Sequence, residues 1–63
     1  MREVKIKINN QMWSDNHCNV NDLRTEDAFV VIEILEEGRM IRFKYPIENV
    51  QSIEEIIYLE ESS

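Results

Sequence analysis

The sequence has few of the residues that form disulfides or favour turns. It contains one cysteine, one glycine and one proline in 63 residues. A lone Cys18 excludes an intrachain disulfide. One Cys and one His cannot supply the four ligands of a structural zinc site within one chain. A chain of this length buries only about 60% of its unfolded surface, so its core is marginal. The sequence therefore predicts one small domain over residues 1–63, without metal or cofactor. It is either a well-packed monomer or a homo-oligomer, and we expect the oligomer.

Long apolar runs are also missing. The first eight residues interleave charged and apolar side chains, so they lack the continuous apolar stretch of a secretion signal. No window approaches the roughly 20 apolar residues of a membrane-spanning helix. A lone thiol fits a reducing compartment better than an oxidising one. These features predict a cytoplasmic protein that does not bind a membrane.

Basic residues are scarce and unevenly placed. Seven Lys and Arg stand against 13 Asp and Glu, which gives a net charge of −6, and no Lys or Arg occurs after Lys44. Phosphate contacts need clustered Lys and Arg, so the charge pattern disfavours a nucleic-acid-binding barrel. An anionic surface suits a basic protein partner, although acidic side chains also simply keep a protein soluble. The candidate acidic residues are Glu48, Glu54, Glu55, Glu60 and Glu61.

The clearest structural pattern is a β-hairpin over residues 28–45, with the only glycine, Gly38, in its turn. A turn centred between Glu37 and Gly38 brings six apolar residues to one face as the pairs Val30/Tyr45, Ile32/Phe43 and Ile34/Ile41. The other face then pairs Glu33/Arg42, Val31/Lys44 and Leu35/Met40. A one-residue slip would set Ile32 against Arg42, so the apolar pattern selects the register.

The two ends of the chain suggest further strands. Residues 3–8 alternate, with Val4, Ile6 and Ile8 on one face and charged side chains on the other, which favours a half-buried strand. Its Lys residues would also suit a position at a sheet edge. Residues 50–61 are ambiguous, because Ser52 and Glu55 match a helix capping box while the apolar residues partly alternate. The predicted fold is mainly β or small α+β. It is an antiparallel sheet of three to four strands (3–9, 28–36, 39–45 and a C-terminal strand or short helix).

The asparagine-rich stretch 9–26 shows no clean period and predicts a long loop, with a short helical turn near residues 21–24. Trp13 in this stretch either covers one end of the core or contacts a partner. His17 and Cys18 are adjacent, and neighbouring side chains of an extended chain point apart. They therefore make a poor pair of base and nucleophile, and no other catalytic motif is present. The sequence predicts a protein that is not an enzyme.

The functional hypothesis is a small acidic protein-interaction module that inhibits or regulates another protein through its anionic surface and the 9–26 segment. Size and charge are similar to those of phage or mobile-element inhibitors, some of which mimic nucleic acid, and this is an analogy only. The alternative is a homo-oligomer that binds a small ligand between subunits, with Trp13 and His17 lining the pocket. The predicted partner-binding residues are Trp13, His17, Glu48, Glu54, Glu55, Glu60 and Glu61.

Overall fold

The computed structural model describes residues 1–59, which contain six strands and one short 3-10 helix. The elements are β1 (Arg2–Ile8), β2 (Ser14–His17), β3 (Val20–Glu26), β4 (Phe29–Glu36), β5 (Arg39–Pro46), the 3-10 helix (Ile47–Asn49) and β6 (Val50–Ile57). They form two three-stranded antiparallel sheets, ordered β2-β1-β6 and β3-β4-β5. The prediction of a mainly β, antiparallel fold around a central hairpin is confirmed.

The central hairpin adopts the predicted register. Ile32 lies opposite Phe43, Glu33 opposite Arg42, and Leu35 opposite Met40. Glu37 and Gly38 both have positive φ, at 49° and 75°. Two consecutive positive φ angles twist a two-residue turn in the sense of its flanking strands, and glycine accepts this conformation without a Cβ clash.

The prediction of a loop over residues 9–26 is wrong, because this stretch forms β2 and β3. Only Cys18 and Asn19 separate the two strands, which belong to different sheets. Asn19 has a φ of 56°, a left-handed conformation that asparagine tolerates, and it turns the chain from one sheet to the other. No helical turn forms at residues 21–24, because they belong to the strand β3, which pairs with β4.

Two further expectations about strand positions are settled by the pairing. The C-terminal segment is a strand, in which Ile53 lies opposite Ile6, so the capping-box pattern does not produce a helix. The strand β1 is central in its sheet, so the expectation of an edge position is wrong. Its Lys5 lies between Asn16 of β2 and Glu54 of β6. Polar neighbours on both sides make a charged outer face compatible with a central strand.

The core lies between the facing sheets. Its buried members are Val4, Ile6, Val20, Val30 and Ile32, flanked by the partly buried Ile8, Leu23, Ile34, Phe43, Tyr45 and Val50. The outward-facing Val31 is also fully buried. Its neighbours across the ladder are Arg24 and Lys44, and long side chains of this kind cover adjacent apolar surface.

Candidate protein-interaction surface

Three connections between strands meet at one end of the molecule, namely residues 9–13, 27–28 and 47–49. The backbone N–H of Asn9 donates to the carbonyl of Asn49 at 2.8 Å, and its side-chain amide donates to the carbonyl of Glu48 at 3.1 Å. The backbone N–H of Ile47 donates to the carbonyl of Ala28 at 2.9 Å. These bonds join the three connections into one surface, which we call the end surface.

Trp13 stands out from the end surface instead of covering the core. Its side chain is 65% exposed, and that of the adjacent Met12 is 92% exposed. The Gln11 side-chain amide donates to the Trp13 carbonyl at 2.8 Å and to the Asp15 carboxylate at 3.3 Å. The Gln11 backbone N–H donates to the carbonyl of Ile8 at 3.1 Å. The loop therefore presents Trp13 on an anchored backbone. Less conformational entropy is then lost when a partner binds, because the loop is already ordered.

A shallow apolar groove of about 560 Å³ lies on the same end, lined by Ala28, Phe29, Pro46, Ile47 and Glu48. Phe29 and Pro46 are opposite each other at the end of the β4–β5 ladder. Phe29 is 39% exposed and Ile47 is 43% exposed. The groove is thus an apolar surface held by a ladder pair and by the Ile47–Ala28 hydrogen bond, with one carboxylate at its margin.

The three predicted acidic residues that lie within residues 1–59 do not form one continuous surface. Glu54 and Glu55 are consecutive in β6, so their side chains point to opposite faces of the sheet. Glu54 lies opposite Lys5 in the ladder, and Glu55 makes a 2.6 Å ion pair with Arg2. Glu48 belongs to the end surface. Glu60 and Glu61 lie outside the described residues.

His17 lies inside the molecule, with only 8% of its surface exposed. Its ring packs on Phe43 with centroids 4.5 Å apart, and its Nε2 is 2.8 Å from the Tyr45 hydroxyl. That hydroxyl lies 3.5 Å from the Asp15 carboxylate, to which it donates. Burial lowers the pKa of His17, and burial together with Asp15 raises the pKa of Tyr45 to about 12. The structure therefore places His17 as a packing group between the sheets.

The burial of His17 predicts a loss of stability in mild acid. Its folded pKa lies below the value of 6.5 in an unfolded chain, so below pH 6.5 the unfolded state binds a proton that the folded state still excludes. The stabilisation is complete above pH 6.5 and is lost as the pH falls towards the folded pKa. Urea unfolding midpoints should therefore fall between pH 7 and pH 5.

The chain has a single histidine, so a His17→Gln variant is the control for this step. The pKa values of the carboxylates Glu3 and Glu33 are lowered, so their contributions are lost mainly below pH 4.5 and do not obscure the histidine step. The variant should show a smaller fall than the wild type between pH 7 and pH 5. Equal falls in both proteins would contradict this account of His17.

Two carboxylates outside the predicted binding residues hold the strands together. Glu3 accepts hydrogen bonds from the Asn16 amide and the Tyr58 hydroxyl, both at 3.0 Å, and from the Cys18 thiol at 3.6 Å. The Asn16 hydrogen bond makes the largest contribution to the lowered pKa of Glu3. Burial and Glu3 raise the pKa of the Cys18 thiol, which disfavours the reactive thiolate. This cluster links β1 to β2 and to the residue that follows β6.

The second carboxylate, Glu33, lies at the centre of the other sheet. It accepts hydrogen bonds from Arg24 of β3 at 3.1 Å and from Arg42 of β5. These two bonds lower the pKa of Glu33, and the bond from Arg24 makes the larger contribution. Arg24 also contacts Asp22 at 2.7 Å and Glu26 at 3.1 Å along its own strand. The alternation of Asp22, Arg24 and Glu26 was the sequence signal for β3, since residues two apart in a strand share a face.

Comparison with known protein families, curated proteins and solved structures finds no match for this chain. Among residues 1–59, no helix is long and apolar enough to cross a membrane. In the same part of the chain, no three His, Cys, Asp or Glu side chains are grouped so that they could hold a metal ion.

Proposed function

We propose that this protein is a non-enzymatic interaction module that binds another protein through its end surface and inhibits or regulates it. The observation that carries the proposal is Trp13, which is 65% exposed on an anchored loop at the same end as the apolar groove. Tryptophan is enriched among the few residues that dominate binding energy at protein interfaces. An exposed tryptophan and an apolar groove on the same end of the molecule are features that commonly mark a protein interaction site.

The charge of the chain supports a basic partner, because the net charge of −6 attracts a positive surface over several ångströms. Mimicry of nucleic acid is less well supported, since Glu54 and Glu55 point to opposite faces and Glu55 is neutralised by Arg2. The lone thiol of Cys18 favours the cytoplasm as the place of action.

The proposal is tested by affinity capture with the immobilised chain, followed by titration of the purified partner against the wild type and a Trp13→Ala variant. A partner that binds both forms equally would contradict a role for the end surface. Leu35 supplies the control position, because it is 55% exposed at the tip of the hairpin, where the β4–β5 ladder ends farthest from Phe29 and Pro46.

Self-association is a second candidate role, supported by the outer strand β6. This strand is an outer strand of the β2-β1-β6 sheet and contains no Lys, Arg or Pro. Of its two charged residues, Glu54 lies opposite Lys5 and Glu55 pairs with Arg2, so their charges are offset within the sheet. Ile57 is 60% exposed on it, and the following Tyr58 and Leu59 are 49% and 85% exposed. The outer strands of the other sheet carry basic residues, Arg24 in β3 and Arg39, Arg42 and Lys44 in β5, and β2 is only four residues long. The outer strand β6 is therefore the edge best suited to pair with a second copy.

An Ile57→Lys variant tests self-association. The wild type should elute as a dimer in size-exclusion chromatography with light scattering, and the variant should elute as a monomer because the charge blocks edge pairing. Leu35→Lys, at an exposed position of the other sheet, should leave the dimer intact. A wild type that is strictly monomeric at high concentration would remove self-association, and with it a ligand pocket between subunits.

A further inference from the structure

The groove on the end surface combines apolar walls with uncompensated negative charge. Of its five lining residues, four are apolar and the fifth is Glu48. The neighbouring turn adds Asp27, which has a φ of 55°. The nearby carboxylate of Glu26 forms an ion pair with Arg24 at 3.1 Å. Within residues 1–59, neither Asp27 nor Glu48 has an ion-pair partner. No basic side chain among residues 1–59 therefore pairs with either of these two carboxylates near the apolar groove.

We propose that this groove binds a short segment of the partner protein in which an apolar side chain lies within a few residues of a lysine or arginine. This inference rests on the proposed function and specifies the partner's chemistry. The apolar side chain would pack between Phe29 and Ile47, whose exposed area it would remove from water. The basic side chain would reach Glu48 or Asp27 at the margin, where opposite charge fixes orientation and speeds association.

The dimensions and rigidity of the groove suit such an occupant. Its volume of about 560 Å³ lies within the range of sites that hold small ligands, and its open form suits a few side chains of a longer segment. The Phe29–Pro46 ladder pair and the 2.9 Å bond from Ile47 to Ala28 fix its walls. A fixed apolar groove gains affinity because little ordering is required on binding.

The test is selection of a random nonapeptide display library on the immobilised full-length chain. Enriched peptides should share an apolar residue within three positions of Lys or Arg. A synthetic copy of one of them should shift the backbone amide NMR signals of Ala28, Phe29 and Ile47. Enrichment without basic residues, absence of enrichment, or shifts confined to the opposite end would each overturn the proposal.

Variants then separate the apolar contribution from the charged one. Ile47→Lys should weaken the selected peptide at least about ten-fold, because it places a charge in the apolar groove. Glu48→Gln should weaken it about two- to five-fold and reduce the salt dependence of binding, without a change of shape. Leu35→Lys is the matched control and should bind as the wild type does. Wild-type affinity in both groove variants would contradict the assignment.

The same variants distinguish failure of the groove from failure of the end surface as a whole. If the captured partner is lost with Trp13→Ala but retained with Ile47→Lys, the groove proposal fails and the interaction role of the end surface stands. If both variants retain the partner, the proposed function fails as well. Loss of the partner with both variants, and not with Leu35→Lys, supports both proposals.

Discussion

Replacing Ile32 by alanine is expected to unfold a large fraction of the protein at 25 °C. Ile32 is fully buried at the centre of the core, between Leu23 of β3 and Phe43 of β5 in its own sheet. Truncation of a buried isoleucine to alanine costs about 2–5 kcal/mol, and a core of this size supplies only about 3–5 kcal/mol of net stability. The two quantities are comparable, so little stability should remain. Circular dichroism should show a melting temperature lowered by at least about 10 °C.

The control for this prediction is Leu35→Ala in the same strand. Leu35 is 55% exposed, so its truncation should change the free energy of unfolding by no more than about 0.5 kcal/mol. Ile32→Ala and Leu35→Ala both shorten a large aliphatic side chain in β4, and they differ mainly in the burial of that side chain. An Ile32→Ala protein with the melting temperature of the wild type would show that the core does not lie between the two sheets as described.

Replacing Trp13 by alanine is expected to weaken binding of the partner protein by about 30-fold or more, the usual effect of removing an interface hot spot of at least 2 kcal/mol. The same substitution should leave the melting temperature nearly unchanged, because the side chain is 65% exposed and contributes little to the core. Isothermal titration or surface plasmon resonance with the purified partner measures the first effect, and thermal unfolding measures the second.

The combination of the two readouts makes this prediction specific. A Trp13 side chain that covered part of the core would lower stability and binding together when removed. Leu35→Ala should leave both quantities unchanged, since it lies on the hairpin tip. If Trp13→Ala lowers the melting temperature strongly, or leaves the affinity unchanged, the assignment of Trp13 to a contact role is wrong.

The hairpin could be predicted from sequence because its information is local and redundant. Ile32 and Phe43 define one face while Glu33 and Arg42 define the other, and any slip would bury an arginine. The C-terminal segment is ambiguous in sequence because Ser52 and Glu55 match a helix capping box, while the apolar residues partly alternate as in a strand. Pairing with β1 decided in favour of a strand, and that tertiary contact is invisible in the segment itself.

The segment 9–26 was misread because its asparagines have two roles. Asn10 and Asn19 adopt positive φ and turn the chain, which is the property that suggested a long loop. After the second corner, the strand β3 shows an alternation of Asp22, Arg24 and Glu26, whose charges resemble those of a solvated surface segment. Arg24 binds both acidic neighbours and also Glu33, which lies in another strand, so only the sheet reveals that the alternation is a ladder face.

The end surface could not be predicted because it joins residues far apart in sequence. Its defining hydrogen bonds link Asn9 to Asn49 and Ile47 to Ala28. The sequence did identify Trp13 and Glu48 as candidates from residue type alone, but it grouped them with Glu54 and Glu55, which lie along β6. His17 was included because of its chemistry, and its burial against Phe43 and Tyr45 depends on contacts across the sandwich.

The central claim is that a partner protein binds at the end surface, and hydrogen–deuterium exchange of the chain with and without the captured partner tests it most directly. The account predicts slower exchange in peptides covering residues 9–13 and 46–49. It predicts unchanged exchange at residues 35–40, on the hairpin tip. Protection confined to residues 35–40, with none at the end surface, would contradict the account.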